Sequence, residues 1–263
     1  MVSTVRRVRE SGRIALCGYF LVGFPSPGQF YRIVRAAQRL DIMEFGVPSQ
    51  APRLDGPTIS KAHDVVVRDR GLDAETSLAL VGGLRDLFPP RFVMTYAEDG
   101  RHFRGFLRSC VRNDIHGVFA PDIDPREASD VALLARAMDL AFIRFVDSSM
   151  PSHVIEQASR DSDMLYVRVA EGMTGSMAAL APADCLELKL LAERARTANP
   201  EILLAGGIGI RDPEQVATLA CVGLDVAIVG TALVENLELG VDQLAAKVDE
   251  LRRGTLRPRP LEG

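Results

Sequence analysis

The sequence predicts a single α/β domain, a (β/α)8 TIM barrel with its active site at the C-terminal rim of the strands. Three observations predict it. Eight short apolar runs, rich in β-branched residues, recur at 14–22, 42–47, 92–96, 117–121, 141–146, 164–170, 202–206 and 226–231. Near-continuous apolar runs of this length mark parallel strands buried on both faces. Helix-like stretches separate them with no break in composition, which is the alternation of a β/α fold. The length, 263 residues, suits one such barrel, because these domains run to about 250 residues without dividing. A doubly wound open sheet is the alternative arrangement of the same alternation.

The connecting helices are expected at 28–40, 126–138, 186–198 and 213–222, among others. Asp122-x-Asp124-Pro125 and Asp212-Pro213 place an acid and a proline at a first turn, where orphan N–H groups favour them. Most strand starts fall roughly 25 residues apart, but the intervals after the second and sixth are longer. Extra length in a βα loop lies at the catalytic rim, so loops two and six are expected to carry chemistry. The barrel is expected over 1–254. The Pro- and Arg-rich end, 255–263, is expected to be a disordered tail.

Composition excludes several classes. Hydrophobic residues make up 47% and charged residues 25%, an ordinary globular balance. The net charge of −4 offers nothing to a nucleic-acid backbone or an anionic membrane. No apolar run reaches the roughly 18 residues of a membrane span, and the basic N-terminus lacks the apolar stretch of a signal peptide. Cys17, Cys110, Cys185 and Cys221 are far apart, without a CxxC pair. They are expected to be reduced, mostly buried thiols of a cytoplasmic protein.

Chemistry concentrates at the strand ends. After the seventh strand comes Gly206-Gly207-Ile208-Gly209 and then a helix start, and the eighth ends on Gly230-Thr231. Glycine-exposed N–H groups facing a helix N-terminus form an anion cradle, and barrels place phosphate at these two loops. Tight-turn glycines alone would give the same letters. In the second strand, Glu44 interrupts an apolar run and shares its side with Ile42 and Gly46. A carboxylate there is costly unless used or paired. Loop two then supplies Asp55 in Leu54-Asp55-Gly56-Pro57. Two carboxylates in different environments suit acid and base roles; an ion pair for Glu44 and a turn role for Asp55 would be the structural alternative. Loop six, Glu171-Gly172-Met173-Thr174-Gly175, has the glycines of a lid or a phosphate turn.

Other routes lack their residues. A Schiff-base aldolase needs a lysine in the barrel, yet the three lysines among 31 basic residues, Lys61, Lys189 and Lys247, fall on helix-like segments. His63, His102, His116 and His153 show no metal-ligand spacing and are expected in solvated or capping roles. There is no GxSxG elbow. Acid–base chemistry on a phosphorylated small molecule remains.

The segment MEFGVPSQAPRLDGPTIS resembles the catalytic segment of the tryptophan synthase α subunit family, with the same eleven-residue step from Glu to Asp. FVMTY, LYVRVAEGMTG, GGIGIRDPEQV and VAIVGTALV match further segments in order, from about Gly18 to Leu237. The resemblance implies a lyase that cleaves indole-3-glycerol phosphate into indole and glyceraldehyde 3-phosphate by a retro-aldol reaction, with no metal or organic cofactor. It implies Glu44 as the general acid/base, Asp55 on the indole N–H, and Tyr166 orienting Glu44. Thr174 would close loop six over Asp55. Tyr19, Met94, Tyr96 and Ile208 would touch substrate, and Gly175, Gly209, Gly230 and Thr231 would hold the phosphate, with Thr231 replacing a serine.

Departures from the family pattern are informative. The family's loop-two aspartate, which communicates with a PLP-bearing β subunit, is Ala51 here, and the arginine opening loop six is Ala170. Both count against coupling to that partner. Arg144 and Arg168 stand where the family sets aliphatic residues against the indole ring. By alternation Arg168 shares its side with Tyr166. A buried guanidinium needs a partner. It could pair with an anionic group on a modified substrate, or with Glu44, or the register could slip and turn these arginines toward the helices. Two competing readings remain: a catalytically idle partner of a PLP enzyme, and another phosphate-barrel enzyme acting on a non-indole substrate.

Overall fold

The computed structural model describes residues 1–86, 89–98, 103–169, 180–207 and 209–257, with residues 69 and 70 described by backbone alone. Eight parallel strands close a barrel in sequence order. They are β1 (Ala15–Leu21), β2 (Ile42–Gly46), β3 (Arg91–Met94), β4 (Gly117–Phe119), β5 (Ala141–Val146), β6 (Met164–Arg168), β7 (Leu203–Gly207) and β8 (Val226–Val229). Every expected run overlaps one strand, with β3 starting one residue before its run and β7 ending one residue after its own, and closure through the β1–β8 pairing removes the open-sheet alternative. The run expected to reach 231 stops at Val229, because Gly230 turns the chain into a helix.

A first helix, α1 (Val2–Glu10), precedes the barrel. Around it lie α2 (Pro27–Ala36), α3 (Pro57–Arg70), α4 (Ala74–Gly82), α5 (Phe103–Arg112), α6 (Pro125–Arg136), α7 (Ser152–Asp161), α8 (Pro182–Ala198), α9 (Pro213–Cys221), α10 (Thr231–Glu238) and α11 (Val241–Arg252). Local chemistry starts them. Ser26, Asp73, Asp124 and Asp212 accept backbone N–H groups at the first turns of α2, α4, α6 and α9. Proline opens α2, α3, α6, α8 and α9, where its missing N–H costs nothing. α8 begins four residues before the expected 186, because Pro182 starts it and Asp184 accepts the N–H of Ala181. The long interval after β2 is filled by two helices, α3 and α4.

Strand alternation divides the core. Phe45, Val93, Phe142, Leu165 and Leu204 point out against the helices. Ile42, Phe92, Phe119, Met164, Leu203 and Val226 fill the barrel, with Val5 and Val8 of α1 packed against them. At the opposite end from the catalytic rim, three aspartates placed just before a strand accept the N–H of the preceding neighbour strand. Asp41 takes Leu16 N–H, Asp163 takes Phe142 N–H and Asp225 takes Leu204 N–H, each at 3.0 Å. Asp225 is fully buried and gathers Arg9, Arg196 and Arg257. Part of the arginine surplus therefore neutralises two of these register-fixing carboxylates, Asp41 with Arg13 and Arg252, and Asp225.

Residues 255–257, just past the expected boundary at 254, make contacts with the start of β1. Thr255 is fully buried and its carbonyl accepts Ile14 N–H, Leu256 bridges Arg13, and Arg257 N–H reaches Gly12. These contacts extend the last helix across the start of β1; residues 258–263 lie outside the described residues. Cys17 and Cys110 are buried, Cys185 is half-buried and Cys221 exposed, and all four are free thiols. Lys61, Lys189 and Lys247 sit on α3, α8 and α11. No helix among the described residues is long and apolar enough to cross a membrane.

Candidate active site

A cavity opens at the C-terminal rim. Adjacent strands deliver its floor: the pairing of β1 with β2 sets Tyr19 beside Glu44, and β6 brings Tyr166. Met94 ends β3, and Phe119 and Phe145 enter from β4 and β5. Asp55 comes from loop two and Gly209 from the loop after β7, while Gly230 and Thr231 come from the end of β8.

Two glycines make the room. A Cβ on Gly46 would overlap the Tyr19 hydroxyl, and one on Gly207 would overlap the Tyr166 hydroxyl. The Tyr166 ring cannot retreat easily, since it stacks on Phe119 with centroids 4.7 Å apart and planes 5° from parallel. Gly207→Ala is expected to destabilise the protein by about 1–3 kcal/mol, the usual range for overpacking. Urea unfolding measures it, and a midpoint equal to that of the unaltered protein would show that Tyr166 has freedom the packing denies.

Glu44 is 2% exposed, and its Oε2 has no hydrogen-bond partner among the described residues. Burial, and then the charge of Asp55, push its pKa from 4.5 up to about 8. The group therefore holds its proton at neutral pH. Tyr166, expected to orient Glu44, gives its Oε2 no hydrogen bond. Tyr166 instead spends its ring on Phe119, and its hydroxyl is held from ionising by burial and by nearby Glu44. Asp55 is 6% exposed and keeps one hydrogen-bond donor among the described residues. The Tyr96 hydroxyl donates to its Oδ2 at 2.8 Å and receives the N–H of Leu54 at 3.1 Å. Burial and Asp55 both raise Tyr96, keeping it a donor.

Gly230 is the N-cap of α10, so the helix N-terminus opens on the cavity with Thr231 as its first residue. Gly209 holds φ +89°, a left-handed conformation that favours glycine. Thr174, Gly175 and Ile208 lie outside the described residues, as does Ala170.

The two arginines separate. Arg144 does not line the cavity. It is 7% exposed, and by strand alternation it faces the helix layer, where Asp161 of α7 lies 3.8 Å away. Arg168 is on the Tyr166 side but at the rim, with its guanidinium 5.3 Å from the Phe145 ring centroid. It makes no ion pair with Glu44 and is absent from the cavity wall. The carboxylates of Asp147, Asp184 and Glu187 surround the neighbouring hollow that it lines.

His63, expected in a solvated or capping role, is not solvated. It is 1% exposed and its Nε2 lies 3.5 Å from Asp55 Oδ2. The signal was present in the spacing: Ile59, Ala62, His63 and Val66 fall at i, i+3, i+4 and i+7, one buried stripe of α3. The other described histidines keep outer positions, with His116 half-buried and His153 exposed. Sequence reasoning also passed over Phe145 and Ile59, which line the cavity as ordinary apolar residues.

The family model described as tryptophan synthase alpha chain matches residues 5–257. The tryptophan synthase alpha chain of Chloroflexus aurantiacus is 31% identical, over 98% of this chain and 99% of its own length. That of Mycobacterium leprae is 30% identical, over 94% and 90%. Among solved structures, a tryptophan synthase chain of Mycobacterium tuberculosis superimposes with a TM-score of 0.87 at 27% identity, covering 97% of this chain and 98% of that one.

Proposed function

The chain belongs to the tryptophan synthase alpha chain family, and we propose that Glu44 and Asp55 carry that family's reaction here. The protein is a carbon–carbon lyase that cleaves indole-3-glycerol phosphate to indole and glyceraldehyde 3-phosphate. The observation that carries the residue assignment is Glu44: a buried, protonated carboxyl with a free oxygen on the cavity that Asp55 also lines.

The proton balance closes on that one group. Glu44 gives its proton to C3 of the indole, and the resulting cation is delocalised to the ring nitrogen. Asp55 accepts the ring N–H and stabilises that charge. Glu44, now a carboxylate, takes the proton of the side-chain hydroxyl. The C–C bond breaks, its electron pair restores the aromatic ring, the hydroxyl carbon becomes the aldehyde, and Glu44 ends protonated as it began. Tyr19, Met94, Tyr96 and Tyr166 shape the ring site, and Gly209, Gly230 and Thr231 hold the phosphate at the N-terminus of α10. An uncharged indole fits this wall, since neither Arg144 nor Arg168 enters it. The family pairs with a PLP-dependent β subunit. The exposed Ala51 offers no carboxylate for the usual communication, so turnover here does not depend on it.

Incubation with indole-3-glycerol phosphate tests the reading. Indole and glyceraldehyde 3-phosphate are expected in equal amounts from the isolated protein. Intact substrate after many hours, with phosphate-site binding preserved, would remove the assignment.

A further inference from the structure

His63 contacts both ends of the arc that leads from β2 to Asp55. Its Nδ1 accepts the backbone N–H of Ser49 at 2.9 Å. A ring nitrogen that accepts a hydrogen bond carries no proton, so the neutral imidazole holds its proton on Nε2. That Nε2 lies 3.5 Å from Asp55 Oδ2, is fully buried and has no hydrogen-bond partner among the described residues. The same Oδ2 already receives the Tyr96 hydroxyl, whereas no described residue donates to Oδ1. Packing of α3 alone does not require a polar atom at this point, and an unpaired buried N–H is costly. Catalytic hydrogen bonds are commonly long before substrate binds, and a shift of a few tenths of an ångström would complete this one.

We propose that His63 is a positioning residue for Asp55: the Ser49 N–H fixes the Nε2–H tautomer, and Nε2–H and the Tyr96 hydroxyl together hold Oδ2, which leaves Oδ1 to take the N–H of the substrate ring. The inference rests on the role given to Asp55 above. It makes α3, through one imidazole, the support of loop two.

A double-mutant cycle tests it. His63→Leu keeps an apolar filler on α3 and removes both polar contacts. Its kcat is expected to fall about a hundredfold, the scale of a misplaced catalytic group, with KM changed little. His63→Asn, which keeps an acceptor and an N–H donor, is expected to recover at least a tenth of the lost rate. In an Asp55→Asn background His63→Leu is expected to cost less than threefold. Full kcat in His63→Leu, or an undiminished loss in the Asp55→Asn background, would overturn the proposal. Should His63→Leu fail to fold by thermal melting, His63→Asn replaces it in the cycle, and equal losses in both backgrounds overturn the proposal in the same way. Full activity of Asp55→Asn by itself would instead overturn the role of Asp55.

Discussion

Glu44→Gln is expected to lose about 10²- to 10⁴-fold in kcat, the usual contribution of a positioned acid–base group, and to gain stability. Both effects have one cause. Glutamine keeps the shape of the protonated carboxyl but has no proton to give to the ring carbon and cannot receive one from the hydroxyl. For stability, the folded protein keeps the Glu44 proton up to about pH 8, while a solvated glutamate releases it near 4.5. Between those values the unfolded chain binds fewer protons than the native one, so the carboxyl lowers stability progressively as pH rises through that window. Glutamine does not titrate and removes the loss. The variant should therefore melt several degrees higher at pH 8 and little differently at pH 4, a difference on the order of a few kcal/mol at the alkaline end. Indole release and thermal melting at the two pH values measure it. A variant that keeps the rate would show that Glu44 is not the acid, and one whose melting differs from the unaltered protein equally at both pH values would show that burial does not hold Glu44 neutral.

Asp55→Asn is expected to lose about 10²- to 10³-fold in kcat, the scale for removing one electrostatic stabiliser of a transition state. The amide can still accept the Tyr96 hydroxyl, so the fold should persist. A second effect follows from the pair. The Asp55 charge is the lesser of the two causes that raise Glu44, so the amide should lower the Glu44 pKa below about 8. Activity depends on protonated Glu44, and the alkaline limb of the residual kcat profile should move to lower pH. An unmoved limb would mean that burial alone sets the Glu44 pKa. An undiminished rate would mean that Asp55 does not meet the charged ring.

The eight strands were legible because a strand covered on both faces has to be apolar along its whole length. Glu44 was legible for the converse reason, as an expensive exception within such a run. Element ends were less so: α8 starts at Pro182 because of a proline and an aspartate that the apolar period does not include. His63 was hidden. A histidine on a helix is equally compatible with water and with a buried stripe until the partner of that stripe is known, and that partner, the rim of β1 with Tyr19 and Leu21, comes from a distant part of the chain.

Composition and order in the sequence settled the architecture, the absence of a barrel lysine, and the two carboxylates at the rim. These are properties of burial period and residue type, which each segment carries by itself. The direction of the two strand arginines was a tertiary matter. Arg144 and Arg168 both interrupt apolar strands, and alternation assigns them opposite sides only once Tyr166 is known to face the barrel. The closed barrel then turns Arg144 to Asp161 and leaves Arg168 over Phe145 at the rim. The proton on Glu44 was decided at the same level, because desolvation depends on every strand that surrounds the carboxyl and not on its neighbours in the chain.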